Sequence, residues 1–140
     1  MAQSVQEDRD ALELTRDESL KLTQIGAKAI EMIDDTIVAD GCWLFYYAFQ
    51  TEDNNFMAQV CNYTTVSNLI KLLGSYDVIV QYTSLKAVAN MLTTESEIVI
   101  YRAIFENVLD KLLILAKEQP RDTNFITEIC FCLSNIASGT

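Results

Sequence analysis

Apolar residues recur at intervals of three and four along most of the chain, which is the spacing of one face of an α-helix. The first such stretch runs from Ala11 to about Ile33, where Gly26 is a candidate break between two helices. Asp34 supplies N-cap chemistry for a further helix over about 37–49, and a polar turn follows that helix. The pattern therefore predicts an all-helical N-terminal third that is interrupted at polar and glycine residues.

The rest of the chain repeats one order of elements twice: a short helix, a medium helix and a long helix. In the first unit Gly74 ends the medium helix and Asp77 caps the long one, and in the second unit Pro120 ends the medium helix. The predicted helices cover about 54–60, 65–73 and 78–92 in the first unit, and about 97–105, 108–118 and 123–137 in the second.

This three-helix unit recurs with a period of roughly 40 to 47 residues, which is typical of armadillo and HEAT solenoids. We therefore expect an all-α fold, an armadillo-type right-handed α-solenoid of about two to three repeats, in which neighbouring units stack because none can bury its own apolar faces. The predicted divisions are a frayed acidic N-terminus (1–10), a partial or degenerate repeat (11–50), and two repeats (51–94 and 95–140).

Two columns of residues recur in the three long helices. Trp43, Lys86 and Phe131 form the first column, with steps of 43 and 45 residues, and Tyr47, Asn90 and Asn135 form the second with the same steps. Within each helix the two members are four apart, so they lie on one face. We call these six residues the ladder.

Such a ladder has a definite chemistry. Aromatic rings hold lysine side chains by apolar contact and cation–π attraction, and Asn amides pair with the N–H and C=O groups of an extended peptide. Glu128 and Glu95 are candidate rim charges that would select basic side chains. An aromatic residue on an apolar helix is more often core, and an Asn near a helix end is often a cap. It is the recurrence of the columns that favours a ladder, while Phe45, Tyr46, Phe49 and the leucines of both medium helices are expected in the core.

Composition narrows the function classes. The chain has 10 basic and 20 acidic residues, so its net charge of −10 disfavours nucleic acid and favours basic partners or simply solubility. It contains no histidine, no glycine-rich phosphate loop and no metal-ligand cluster, so we expect no enzyme activity, no cofactor and no metal.

The sequence also bears on location. We expect no signal peptide at the start, and no apolar run is long enough to span a membrane. The four cysteines are expected to be reduced core residues of an intracellular protein.

The stretch from about Asp40 to Thr140 resembles the armadillo repeats of the importin-alpha family. The most similar pieces are VQYTSLKAVANMLTT (80–94), TVSNLIKLLGSYD (65–77) and EICFCLSNIASGT (128–140). The resemblance implies an adaptor in nuclear import that holds extended basic localisation signals in a concave groove, in the cytoplasm and nucleus. By resemblance the ladder occupies groove positions, and Thr93 and Glu128 match positions near the smaller of the family's two signal-binding sites.

The chain also departs from that family. Phe131 replaces an expected Trp, Lys86 replaces Arg, and residues 1–35 are acidic where the family has an Arg-rich segment. A second interpretation is therefore an armadillo scaffold that serves as a structural subunit of a larger assembly. In either case the apolar final helix predicts that another protein chain, a second copy or further repeats cover the C-terminal face.

Overall fold

The regular elements of the protein are helices throughout the range that the structure describes. A computed structural model of the chain describes residues 14–139. The predicted frayed segment 1–10 lies outside that range. The helices are α1 (Arg16–Ala29), α2 (Asp35–Ala48), α3 (Asn54–Val60), α4 (Tyr63–Lys71), α5 (Val78–Met91), α6 (Glu97–Phe105), α7 (Val108–Glu118) and α8 (Thr123–Gly139), with a 3-10 turn (Leu72–Gly74) after α4.

Acidic N-caps fix where α2 and α5 start. The Asp34 carboxylate accepts hydrogen bonds from the backbone N–H groups of Thr36 (2.9 Å) and Ile37 (3.2 Å) at the start of α2. Asp77 caps α5 in the same way, accepting from Ile79 (2.8 Å) and Val80 (3.0 Å). Each cap satisfies backbone donors that the first helical turn leaves unpaired. Both predicted caps are confirmed.

The predicted break at Gly26 is wrong, because α1 runs without interruption through this residue. A Cβ atom on Gly26 would lie 3.0 Å from the Phe45 ring and 3.3 Å from the carbonyl oxygen of Gly41. Gly26 is buried where α1 crosses α2, and its missing side chain allows the two helices to approach closely. The glycine therefore marks a helix–helix contact and not a turn.

The three long helices form the spine of the molecule. α2 packs against α5, and α5 packs against α8, while α3, α4, α6 and α7 pack around them. One core cluster runs through all of these units and includes fully buried Phe45, Leu69, Leu85 and Leu112. The side-by-side arrangement of α2, α5 and α8 places the three parts of the ladder on adjacent helices.

Several side chains expected in the core are exposed in the last unit. Leu109 and Leu113 of α7 are 47 % and 55 % exposed, and Cys130 of α8 is exposed as well. The matching residues Val66 and Ile70, 43 positions earlier, are buried where α4 meets α6 and α7. The exposure is therefore a property of the last unit, whose outer face has no further unit on it within residues 14–139. No helix in that range is long and apolar enough to cross a membrane.

Candidate functional site

The ladder residues line one surface across α2, α5 and α8. Tyr47 and Phe131 are the exposed members, at 55 % and 46 %, and Trp43, Lys86, Asn90 and Asn135 are half-buried. Their half-burial distinguishes them from neighbours such as Phe45, which is fully buried. Side chains of this kind keep a fixed orientation and still present polar or aromatic surface to a ligand.

Three aromatic side chains of α2 form a cluster at one end of this surface. The Trp43 ring meets the Tyr46 ring edge to face, with centroids 5.2 Å apart, and lies 6.4 Å from the Tyr47 ring. Tyr46 and Tyr47 also meet edge to face, at 5.3 Å. These distances lie within the range of favourable aromatic pairs, so each ring restrains the others.

Tyr46 is a candidate site residue that the sequence pattern predicts to be core. The structure places its side chain half-buried on the ladder surface, where its ring contacts Lys86. The available signal was its position three residues after Trp43, which sets both side chains on one helix face. The run of aromatic residues around it obscured that signal, because Phe45 beside it is core.

Lys86 joins all three long helices. Its Nζ atom lies 5.2 Å from the centroid of the Tyr46 ring on α2 and 2.8 Å from Oε1 of Glu128 on α8. The Lys86 and Glu128 side chains are only 21 % and 18 % exposed. Desolvation lowers the pKa of Lys86, but the hydrogen bond and the charge of Glu128, with smaller contributions from Tyr46 and Tyr82, raise it by more in total, so the ammonium is held charged at neutral pH.

Asn90 lies next to this pair and is already engaged with the backbone. Its Nδ2 donates a hydrogen bond of 2.9 Å to the carbonyl oxygen of Tyr46, which connects α5 to α2. The Thr93 hydroxyl is exposed and donates to the carbonyl oxygen of Asn90 at 2.6 Å. One amide N–H of Asn90 therefore stabilises the helix stack and is not available to a ligand.

Asn135 differs from Asn90 in this respect. Its Nδ2 atom is buried and has no hydrogen-bond partner within the described part of the chain. A buried amide without a partner costs about 1–3 kcal/mol. It lies one helical turn after the exposed ring of Phe131. Because Nδ2 is itself buried, a ligand carbonyl would reach it only after the Asn135 side chain turned outward.

The three adjacent helices together offer aromatic faces, amide groups and a carboxylate. Groups of these kinds can pair with an extended backbone and can hold basic side chains by cation–π contact and charge. Within residues 14–139 no group of three Cys, Asp or Glu side chains is placed to hold a metal ion. The three buried thiols, Cys42, Cys61 and Cys132, have their pKa raised to about 12 by burial, which disfavours the reactive thiolate.

Two solved structures share the arrangement of these helices. One is a designed armadillo repeat protein in complex with the peptide (KR)4, with a TM-score of 0.75 and 20 % identity over 88 % of this chain and 52 % of that one. The other is an engineered protein from the Northeast Structural Genomics Consortium, with a TM-score of 0.71 and 18 % identity over 88 % of this chain and 56 % of that one. No protein-family model and no curated protein matches the sequence.

These likenesses confirm the predicted fold: the chain is an all-α, armadillo-type solenoid. The identities are low, so the fold is what the two structures share with this chain. The chain spans about half the length of each of them. Membership of the importin-alpha family, which the sequence resembles, stays a prediction.

Proposed function

We propose that this chain is an armadillo-type adaptor that binds extended basic peptides along the surface of α2, α5 and α8. The observation that carries the proposal is the placement of the ladder on three adjacent helices, with the Trp43 cluster on α2 at one end and half-buried Asn135 on α8 at the other. The net charge of −10 adds long-range attraction for a cationic ligand.

The designed armadillo neighbour supports the same ligand class, because it was solved with a peptide of alternating Lys and Arg. The finer form of the proposal follows from the resemblance to importin-alpha: the basic peptide is a nuclear localisation signal, the process is nuclear protein import, and the protein is found in cytoplasm and nucleus. The role is non-catalytic and needs no cofactor. Thr93 and Glu128 of this chain, which by resemblance match positions near the smaller of the family's two signal-binding sites, would contact the signal beside the ladder.

Fluorescence anisotropy with a labelled (KR)4 peptide tests the proposal. We expect wild-type binding at about micromolar Kd, and a loss of roughly tenfold or more in the double variant Trp43→Ala/Asn90→Ala, because an aromatic anchor contributes about 1–3 kcal/mol. Tyr76→Ala is the matched control, since Tyr76 is fully exposed in the loop before α5 and lies off the ladder. An acidic peptide of the same length should not bind.

Two results would contradict the proposal. The first is no wild-type binding at roughly 100 μM peptide, a weak regime on the affinity scale. The second is equal binding by the wild type and the Trp43→Ala/Asn90→Ala variant, which would place the peptide elsewhere. Circular dichroism of the double variant separates loss of the surface from loss of the fold, since Asn90 also connects α5 to α2.

A second candidate function is a structural subunit of a larger assembly. The observation that favours it is the apolar face of the last unit, where Leu109, Leu113 and Leu133 are exposed. Another protein chain or a second copy would cover this face. Co-purification with a fixed set of partners, combined with no affinity for basic peptides, would favour this function over the adaptor.

A further inference from the structure

Lys86 occupies a position in the ladder where both neighbouring helices carry an aromatic ring. Its counterparts are Trp43 on α2 and Phe131 on α8. These two offer a surface that receives a cation, whereas Lys86 is itself a cation. The middle step of the ladder therefore contains the chemical group that the ladder is expected to bind.

The surroundings of the Lys86 ammonium are those that a bound lysine would need. The Tyr46 ring lies 5.2 Å from Nζ and the Glu128 carboxylate lies 2.8 Å from it. A π face and a carboxylate that both contact one ammonium form a compact cation site. The other ion pair in residues 14–139, Arg16 with Asp53, is longer at 3.6 Å and much more exposed, at 58 % and 40 %.

We propose that Tyr46 and Glu128 form a binding subsite for a basic peptide side chain, and that Lys86 fills this subsite in the free protein as an internal competitor. The proposal rests on the proposed peptide-binding function and adds how one step of that surface is regulated. The Lys86 head lies at the end of a flexible four-carbon stem, so it leaves the subsite by rotation of its own side chain, without movement of α5.

This arrangement determines which peptides bind best. A ligand must displace an ammonium that is already paired, so a peptide lysine exchanges one cation for an equivalent one. A peptide arginine gains more, because its guanidinium binds a carboxylate through two parallel hydrogen bonds and stacks on an aromatic face. The subsite therefore favours arginine over lysine in the residue that reaches Glu128.

The test is to remove the competing charge and keep the stem, with the variant Lys86→Met. We expect (KR)4 to bind about fivefold more tightly, because Glu128 is then free to pair with the peptide. Lys117→Met is the matched control: Lys117 is exposed on α7, and both variants change the net charge by the same single unit from −10. The control should bind as the wild type does. Adding Glu128→Gln to Lys86→Met should remove the gain.

If the wild type binds (KR)4 and Lys86→Met binds it equally or more weakly, the inference about Lys86 is overturned. The adaptor function still stands in that case, because the wild type binds. Binding by Lys86→Met without binding by the wild type supports the subsite and counts against the adaptor function of the natural chain. No binding by either protein overturns both.

An amine-reactive probe gives a second measurement on the unaltered protein. In the free protein Lys86 should react more slowly than Lys117, because Glu128 and the Tyr46 ring shield it. Saturating (KR)4 should accelerate the labelling of Lys86 if the peptide expels it from the subsite. Slower or unchanged labelling of Lys86 in the bound state would show that the Lys86–Glu128 pair is structural.

Discussion

Cys130 differs from the other three cysteines in its access to solvent. It is exposed on α8, whereas Cys42, Cys61 and Cys132 are buried and have their pKa raised to about 12. Because the thiolate is the reactive form, a disulfide reagent at pH 8 should modify one thiol quickly and the other three only on unfolding. A colorimetric thiol assay of native and denatured protein measures this, and Cys130→Ser should lose the fast phase. Two or more fast thiols in the native protein would contradict the assignment.

At the scale of single residues, the sequence pattern places side chains on a helix face but does not say which partners they contact. The columns selected Lys86 and Asn90 from their spacing alone. That Lys86 pairs with Glu128, and that Asn90 binds the Tyr46 carbonyl, depends on how α2, α5 and α8 are offset, which spacing within one helix does not contain. The spacing of Tyr46 from Trp43 indicates a shared helix face, but its contact with Lys86 depends on a cation that belongs to another helix.

Between helices, the contact of α1 with α2 gives the most direct prediction. A Cβ atom at Gly41 would lie 2.7 Å from Ala29 Cβ and 3.1 Å from Ile30 Cγ2. Gly41→Ala should therefore force the two helices apart and lower the free energy of unfolding by about 1–3 kcal/mol, as overpacking does. Gly74→Ala is the matched control, because nothing lies within 4 Å of its Cβ position, and it should be neutral or stabilising by less than about 1 kcal/mol.

Urea unfolding followed by circular dichroism compares the two alanine variants with the wild type. Equal midpoints for Gly41→Ala and Gly74→Ala would contradict the close contact.

The ends of the helices could be predicted from the sequence because caps such as Asp34 and Asp77 act locally. The continuity of α1 through Gly26 was not, because it depends on Phe45 and Gly41 of another helix.

For the whole molecule, the period of the helices predicted the solenoid, since stacking is the only way for such units to bury their apolar faces. The period does not say which unit has its outer face exposed. Leu113 and Leu133 have the apolar character of Ile70 and Val88, their counterparts one unit earlier, but they are 55 % and 41 % exposed. The sequence pattern predicts Leu113 in the core and predicts a covered face for the final helix that carries Leu133, but residues 14–139 supply nothing that covers either side chain.

This face leads to a prediction for the protein in isolation. A second copy should cover it at high concentration, because burying exposed Leu side chains is favourable by about 25 cal/mol per Å² of apolar surface. The net charge of −10 opposes association between copies, so added salt should strengthen this association by screening the charge.

Sedimentation at several concentrations and salt levels measures the association. The variant Leu113→Gln/Leu133→Gln should remain monomeric. Ile33→Gln is the control, since Ile33 is 98 % exposed in the turn after α1 and lies away from this face. This variant should associate as the wild type does. A wild type that stays monomeric at every salt level would assign the face to a different protein chain or leave it uncovered.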